Sequence, residues 1–67
     1  MTQAPLAPIT PAEQRVLCLL LGGESNRAIA KQLVLSPRTV ESHVSSLLSK
    51  TGLKNRSQLL LWALGRR

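Results

Sequence analysis

The sequence lacks residues on which several classes of small protein depend. Its 67 residues include no Phe or Tyr, a single Trp, one Cys and one His. The lone Cys excludes an internal disulfide and a Cys-rich zinc cluster, and the lone His excludes a two-His metal site within one chain. With one aromatic residue, the chain cannot build the base-stacking platforms of common single-strand and RNA-binding modules. We therefore expect neither a metal nor any other cofactor.

Long apolar segments are also missing. The longest apolar runs, Val16–Leu21 and Leu59–Leu64, have six residues each, whereas a membrane-spanning helix needs about 20. Residues 1–8 contain no Lys or Arg and are interrupted by Pro5 and Pro8, which is unlike a secretory signal peptide. We expect a soluble, cytoplasmic protein in a reducing compartment, with no membrane partner.

Positive charge is what the sequence has in excess. Nine Lys and Arg residues oppose three Glu residues, which gives a formal net charge of +6. Six of these basic residues and a single acidic one, Glu41, lie between Arg27 and Arg56. A field of this sign suits an anionic polymer, above all nucleic acid.

Capping residues mark the beginnings of four helices. The segment Thr10–Glu13 has Thr at the N-cap, Pro at the first helical position and Glu three residues later, which is a capping box. Ser25, Ser36 and Asn55 precede the other three runs of helical apolar periodicity. The pattern predicts helices over residues 11–21, 26–33, 37–50 and 56–64. We expect an all-α fold, a compact domain of four helices.

The first helix follows a short segment of different character. Residues 1–9 contain two prolines and no helical periodicity, and are predicted to be a flexible lead-in to a single domain over residues 10–67. On the helix itself, Glu13 points towards the core, where its capping role explains it. Cys18 falls on the outer face, where it is either a passive residue or a site of intermolecular disulfide formation or thiol switching.

A turn of three residues, Val34–Ser36, joins the second and third helices. Two short helices joined this tightly form a unit whose second helix can enter the major groove of DNA. Apolar residues from Val40 to Leu48 form the buried stripe of that helix. The opposite face carries short hydroxyl groups, which let the backbone approach base edges closely. That face consists of Arg38, Ser42, Ser45, Ser46 and Ser49.

Over residues 9–64 the chain resembles the LuxR-type helix-turn-helix domain, the DNA-binding output domain of bacterial regulators of the LuxR, GerE, NarL and FixJ type. Four motifs in the family's order carry the resemblance: I-T-P-A-E-Q-R-V-L-C-L-L, G-E-S-N-R-A-I-A-K-Q-L, L-S-P-R-T-V-E-S-H-V and K-T-G-L-K-N-R-S-Q-L. It implies a four-helix bundle whose third helix is the recognition helix. It also implies DNA binding as a dimer, typically through the last helix.

Matched positions, together with the exposed face of the third helix, give an expected DNA interface. The expected base contacts are Glu41, Ser42, Ser45, Ser46 and Ser49. The expected phosphate contacts are Asn26, Arg27, Ser36, Arg38, Thr39, His43, Lys50, Lys54 and Arg56. At the position of Glu41 many family members have Lys. A Glu there either accepts a hydrogen bond from cytosine N4 or pairs with Arg38 along the helix.

The last helix is apolar almost all round, which predicts a homodimer. Leu59 and Ala63 share a face that packs on the bundle, so that Leu61 and Leu64 point elsewhere. The expected dimer contacts are Gln58, Leu61, Trp62 and Leu64. A two-fold dimer would bind an inverted repeat on double-stranded DNA.

The sequence leaves open the function of the domain and whether it belongs to a longer protein. A protein-interaction adaptor that docks through Leu61 and Leu64 is one alternative function, and a module like a sigma-factor tail, which acts with RNA polymerase, is another. No nucleophile and base are spaced for catalysis, so an enzyme is not expected. Since residues 1–9 are too few for a sensor domain, the chain is either a stand-alone regulator or the output domain of a longer one.

Overall fold

Capping side chains fix where each of the four helices begins. The computed structural model describes residues 8–65, which form four α-helices: α1 (Pro11–Leu21), α2 (Asn26–Leu33), α3 (Pro37–Thr51) and α4 (Arg56–Gly65). Thr10 Oγ1 accepts a hydrogen bond from Glu13 N at 3.1 Å, and Glu13 Oε1 accepts one from Thr10 N at 2.9 Å. The predicted capping box is therefore present, and the all-α fold is confirmed.

The ends of α3 and α4 each lie one residue beyond the predicted end. Thr51 continues α3 and donates its hydroxyl to Leu47 O at 2.7 Å, so its buried oxygen is satisfied within the helix. Gly52 then ends α3 with a φ of 73°. Such a left-handed conformation is the usual way to end a helix, and glycine adopts it without steric cost.

The core lies where α3 packs against all three other helices. Within residues 8–65 it is built almost entirely from aliphatic side chains. The buried apolar residues are Val16, Leu17, Leu20, Ile29, Ala30, Val40, Leu47, Leu59 and Ala63. Because α3 contributes only one stripe to this core, its other face is left for solvent or a partner.

Most of the predicted lead-in lies outside the described residues, as do residues 66–67 of the predicted domain. Of the lead-in, Pro8 and Ile9 are described, and Ile9 packs against the core. This end of the lead-in therefore belongs with the domain. None of the helices between residues 8 and 65 is long and apolar enough to cross a membrane.

Candidate nucleic-acid interface

The turn between α2 and α3 sets how the third helix leaves the bundle. Val34 ends α2 in the left-handed conformation, with a φ of 56° and a ψ of 49°. Leu35 N then donates to Ala30 O at 2.8 Å, which is the six-to-one hydrogen bond that closes a Schellman motif. This reversal leads directly into Ser36, whose side chain caps α3.

The first turn of α3 is held by two hydroxyl groups. Ser36 Oγ accepts from Thr39 N at 3.1 Å and lies 2.9 Å from Thr39 Oγ1. Both residues are expected phosphate contacts, and the structure places them side by side at the beginning of the helix. Their hydroxyls serve the cap, so each keeps only part of its hydrogen-bonding capacity for a phosphate.

One face of α3 is buried and the opposite face is open. Val40 and Leu47 are fully buried, and Val44 and Leu48 pack partly against the core. Among the expected base contacts, all but half-buried Ser46 are exposed: Glu41, Ser42, Ser45 and Ser49. Arg38 is exposed on the same face, and His43 is half-buried beside it. The structure therefore brings the expected base-reading residues together on one accessible surface.

Glu41 has no ion-pair partner on α3. The only salt bridge formed within residues 8–65 joins Lys50 to Glu13, so the pair of Glu41 with Arg38 is not formed. The carboxylate of Glu41 is exposed on the same face as the serines. It is therefore available to a donor on a base edge.

Lys50 does not point its charge freely into solvent, contrary to what its assignment as a phosphate contact assumed. Its Nζ donates to Glu13 Oε1 at 2.5 Å and to Pro8 O at 3.0 Å. The two side chains are only 21% and 6% exposed. Lys50 thus fastens the end of α3 to the start of α1, and its contact with a phosphate stays a prediction.

These contacts favour the ionised form of the Glu13 carboxyl group. Burial alone would raise the pKa of Glu13, but the hydrogen bonds from Lys50 and Thr10 and the charge of Lys50 outweigh burial. They hold this pKa below its ordinary value of 4.5. The sequence identified the capping role of Glu13 but not its partner 37 residues away.

A second cluster joins the beginnings of α2 and α4. Arg56 donates to Glu24 O at 3.0 Å and to Asn26 Oδ1 at 3.4 Å. Asn26 and Arg56 are both expected phosphate contacts, and the structure makes them neighbours although 30 residues separate them in sequence. Exposed Lys54 precedes α4, and exposed Arg27 lies in the first turn of α2.

The outer edge of α4 exposes large apolar side chains. Leu61 is 70% exposed and Leu64 is 50% exposed, whereas Leu59 and Ala63 are buried against the bundle. Trp62 is half-buried and packs partly against the core. Gln58 is exposed, with its Oε1 accepting from Lys54 N at 2.9 Å. The expected division of α4 into a packed face and an open face is present.

Two further sequence expectations concern reactive side chains. Cys18 is exposed, as predicted, and its Sγ lies 3.6 Å from Gln14 Nε2. Within the described part of the chain, no group of three or more His, Cys, Asp or Glu side chains could hold a metal ion.

Comparisons of sequence show which family this geometry belongs to. Residues 7–63 match the family described as bacterial regulatory proteins, luxR family. Response regulator Rre1 of Synechocystis is 49% identical over 55 residues, which are 82% of this chain and 24% of that protein. The DNA-binding transcriptional activator DevR/DosR of Mycobacterium tuberculosis is 39% identical over 61 residues, 91% of this chain and 28% of that protein. The chain thus spans about a quarter of these curated relatives.

Solved structures agree with the sequence comparison. The transcription factor GerE is 35% identical with a TM-score of 0.79, over 85% of each chain. The VqmA dimer of Vibrio cholerae is 39% identical with a TM-score of 0.85, over 88% of this chain and 27% of that one. The chain belongs to the luxR family of bacterial regulatory proteins and is a DNA-binding domain of a transcription regulator.

Proposed function

We propose that this domain reads duplex DNA with the exposed face of α3 in the major groove. The observation that carries the proposal is the exposure of Ser42, Ser45 and Ser49 on a helix whose other face is fully engaged in the core. The major groove is wide enough for one helix, and each base pair presents a distinct pattern of donors and acceptors there. Serine hydroxyls can donate or accept, and Glu41 accepts from cytosine N4.

Phosphate contacts would surround this face and supply most of the affinity. Exposed Arg27, Arg38 and Lys54 carry charges that no salt bridge within residues 8–65 neutralises. Arg56 with Asn26, and Ser36 with Thr39, add neighbouring hydrogen-bonding groups, and His43 flanks α3. Roughly four phosphates per monomer predict that log K falls with log salt at a slope of about −4. Such contacts fix the position of the domain but carry no sequence information.

We further propose that two copies bind together through α4. Leu61 and Leu64 form an exposed apolar edge on α4, with Gln58 and Trp62 on the same helix. A two-fold dimer would place two copies of α3 about 34 Å apart, one turn of DNA, and would therefore select an inverted repeat. The solved VqmA relative is itself a dimer, which supports this arrangement. We assign no reaction to the chain, and we place it in the bacterial cytoplasm with its DNA.

Selection of bound sequences from random duplexes at a stated salt concentration tests the proposal. The free protein is expected to enrich an inverted repeat and to bind it more tightly than a single half-site. An adaptor that docks through Leu61 and Leu64 would enrich nothing and would bind its partner with little dependence on salt. A module that acts only with RNA polymerase would enrich a sequence in the presence of the polymerase alone.

A further inference from the structure

A cleft beside the start of α3 carries two cations that the sequence analysis did not place together. It lies between α2 and the first residue of α3 and has a volume of about 490 Å³. Its lining residues are Arg27, Ala28, Ala30, Lys31, Leu35 and Pro37. Lys31 is exposed and is absent from the expected phosphate contacts.

Neither of the two cationic side chains, Arg27 and Lys31, has a hydrogen-bond or ion-pair partner in the described part of the chain. Lys50, by contrast, donates to the carboxylate of Glu13. Arg56 donates to a backbone carbonyl and to the side-chain amide oxygen of Asn26. The charges of Arg27 and Lys31 therefore remain available to a ligand.

The spacing of the two cations indicates an anionic ligand. Arg27 and Lys31 lie four residues apart on α2, so their side chains share one face, and like charges at this spacing destabilise a helix. No acidic side chain lines the cleft to relieve their repulsion. The floor is small and apolar, with Ala30 buried, which leaves room for a compact group between the two charges.

We propose that this cleft binds a phosphodiester group of the DNA backbone, with Lys31 and Arg27 as its cationic ligands. The inference rests on the proposed function. If α3 enters the major groove, Pro37 at its first turn lies beside the backbone that borders the groove. The cleft that Pro37 lines then faces a phosphate. Lys31 becomes a contact that fixes the register of α3 and does not read sequence.

The experiment measures the dependence of log K on log salt for the wild type and three variants on the selected duplex. Lys31→Gln and Arg27→Gln each remove one charge from the cleft. Arg15→Gln removes the same charge from an exposed position on α1 outside the cleft. A thermal melt of each variant establishes that it is folded.

Each cleft variant is expected to reduce the steepness of the salt slope by about 0.9 per bound monomer. Between 50 and 200 mM salt, wild-type affinity then falls about 3.5-fold further per bound monomer than that of Lys31→Gln. The preferred sequence stays the same, and Arg15→Gln keeps the wild-type slope.

Two results would overturn the assignment of the cleft while leaving the proposed function intact. One is a Lys31→Gln slope equal to that of Arg15→Gln, which would reduce Lys31 to a cation that stabilises the end of α2. The other is a changed base preference in Lys31→Gln, which would make Lys31 a base contact. A wild type that binds no duplex at all would instead overturn the proposed function, and the cleft assignment with it.

Discussion

Val34 holds the turn of the helix-turn-helix in a conformation that a β-branched residue adopts only at a cost. The left-handed region costs roughly 1–2 kcal/mol for residues with a Cβ. Val34 is 90% exposed, so burial of its side chain recovers almost nothing. The equivalent position at the end of α3 is Gly52, where the same conformation causes no strain.

Replacing Val34 by Gly is therefore expected to stabilise the domain. Relief of strain outweighs the added entropy of the unfolded chain, for a net gain of about 0.5–1 kcal/mol in the free energy of unfolding. Urea unfolding with an unchanged m-value measures the gain. The control is Gln32→Gly, at an exposed position inside α2, which should lose about 1 kcal/mol. Equal losses in both variants would contradict the strain at Val34.

The ion pair between Lys50 and Glu13 could not be predicted from the sequence. Helical periodicity placed Glu13 on the inner face, and the spacing from Thr10 gave its capping role. No local pattern identifies a partner 37 residues away. Periodicity within α1 shows which of its faces is buried but not which residue of α3 packs against that face. For the same reason, the sequence predicts Lys50 as a phosphate contact but does not indicate its ion pair with Glu13.

The lowered pKa of Glu13 makes the free energy of unfolding depend on pH at the acidic end of the range. Because the folded-state pKa lies below 4.5, the contribution is fully present above that pH and is lost as the pH falls through the folded-state value. At pH 7, Glu13→Gln should lose about 1–3 kcal/mol in the free energy of unfolding. Near pH 3 the difference from wild type should shrink. The control is Glu24→Gln, whose carboxylate makes no salt bridge within residues 8–65. A pH-independent loss in Glu13→Gln would contradict the ion pair.

Helix boundaries were the most predictable feature of the fold. All four helix beginnings agree with their predicted positions, because a cap is decided by a few adjacent residues. Ser25 accepts from Ala28 N at 3.1 Å and Asn55 accepts from Gln58 N at 2.9 Å, as the sequence pattern indicated. The end of α3 was less predictable, because Thr51 is buried in the core and burial is not decided by adjacent residues alone.

The division of α3 into two faces predicts separate effects on sequence preference and on affinity. Ser45→Ala and Ser42→Ala should each change the preferred base at one or two positions and weaken the original site about tenfold, with the salt slope retained. Lys54→Gln should instead weaken all duplexes alike and reduce the steepness of the slope by about 0.9 per bound monomer. Selection from random duplexes and salt titration measure the two effects. Identical selected sequences for all three variants would refute the base-reading role of this face.

At the scale of the whole molecule, the charged and apolar surfaces are expected to have different partners. The periodicity of α4 indicated that Leu61 and Leu64 would be left outside the bundle, and they are. The helical pattern of α4 does not indicate how a second copy of the chain would pack on these two side chains. The dimer is therefore still a prediction, although the surface on which it depends is observed.

Leu61→Glu tests the dimer without disturbing the core, since Leu61 is 70% exposed. The charge should separate the protomers, so that the variant sediments as a monomer and binds the inverted repeat no better than a half-site. Gln32→Glu adds the same charge at an exposed position near the end of α2, whereas the hydrogen bond between α2 and α4 is made by Asn26 at its beginning, and this variant should sediment like the wild type. If the wild type and Leu61→Glu both remain monomeric on DNA, the dimer through α4 is wrong.

Methylation interference on the selected duplex tests most directly whether α3 lies in the major groove. Methylation of guanine N7 modifies the major groove, whereas methylation of adenine N3 modifies the minor groove. The account predicts that N7 methylation within each half-site blocks binding and that N3 methylation there leaves binding intact. Interference from N3 alone would place the protein in the minor groove and contradict the role given to α3.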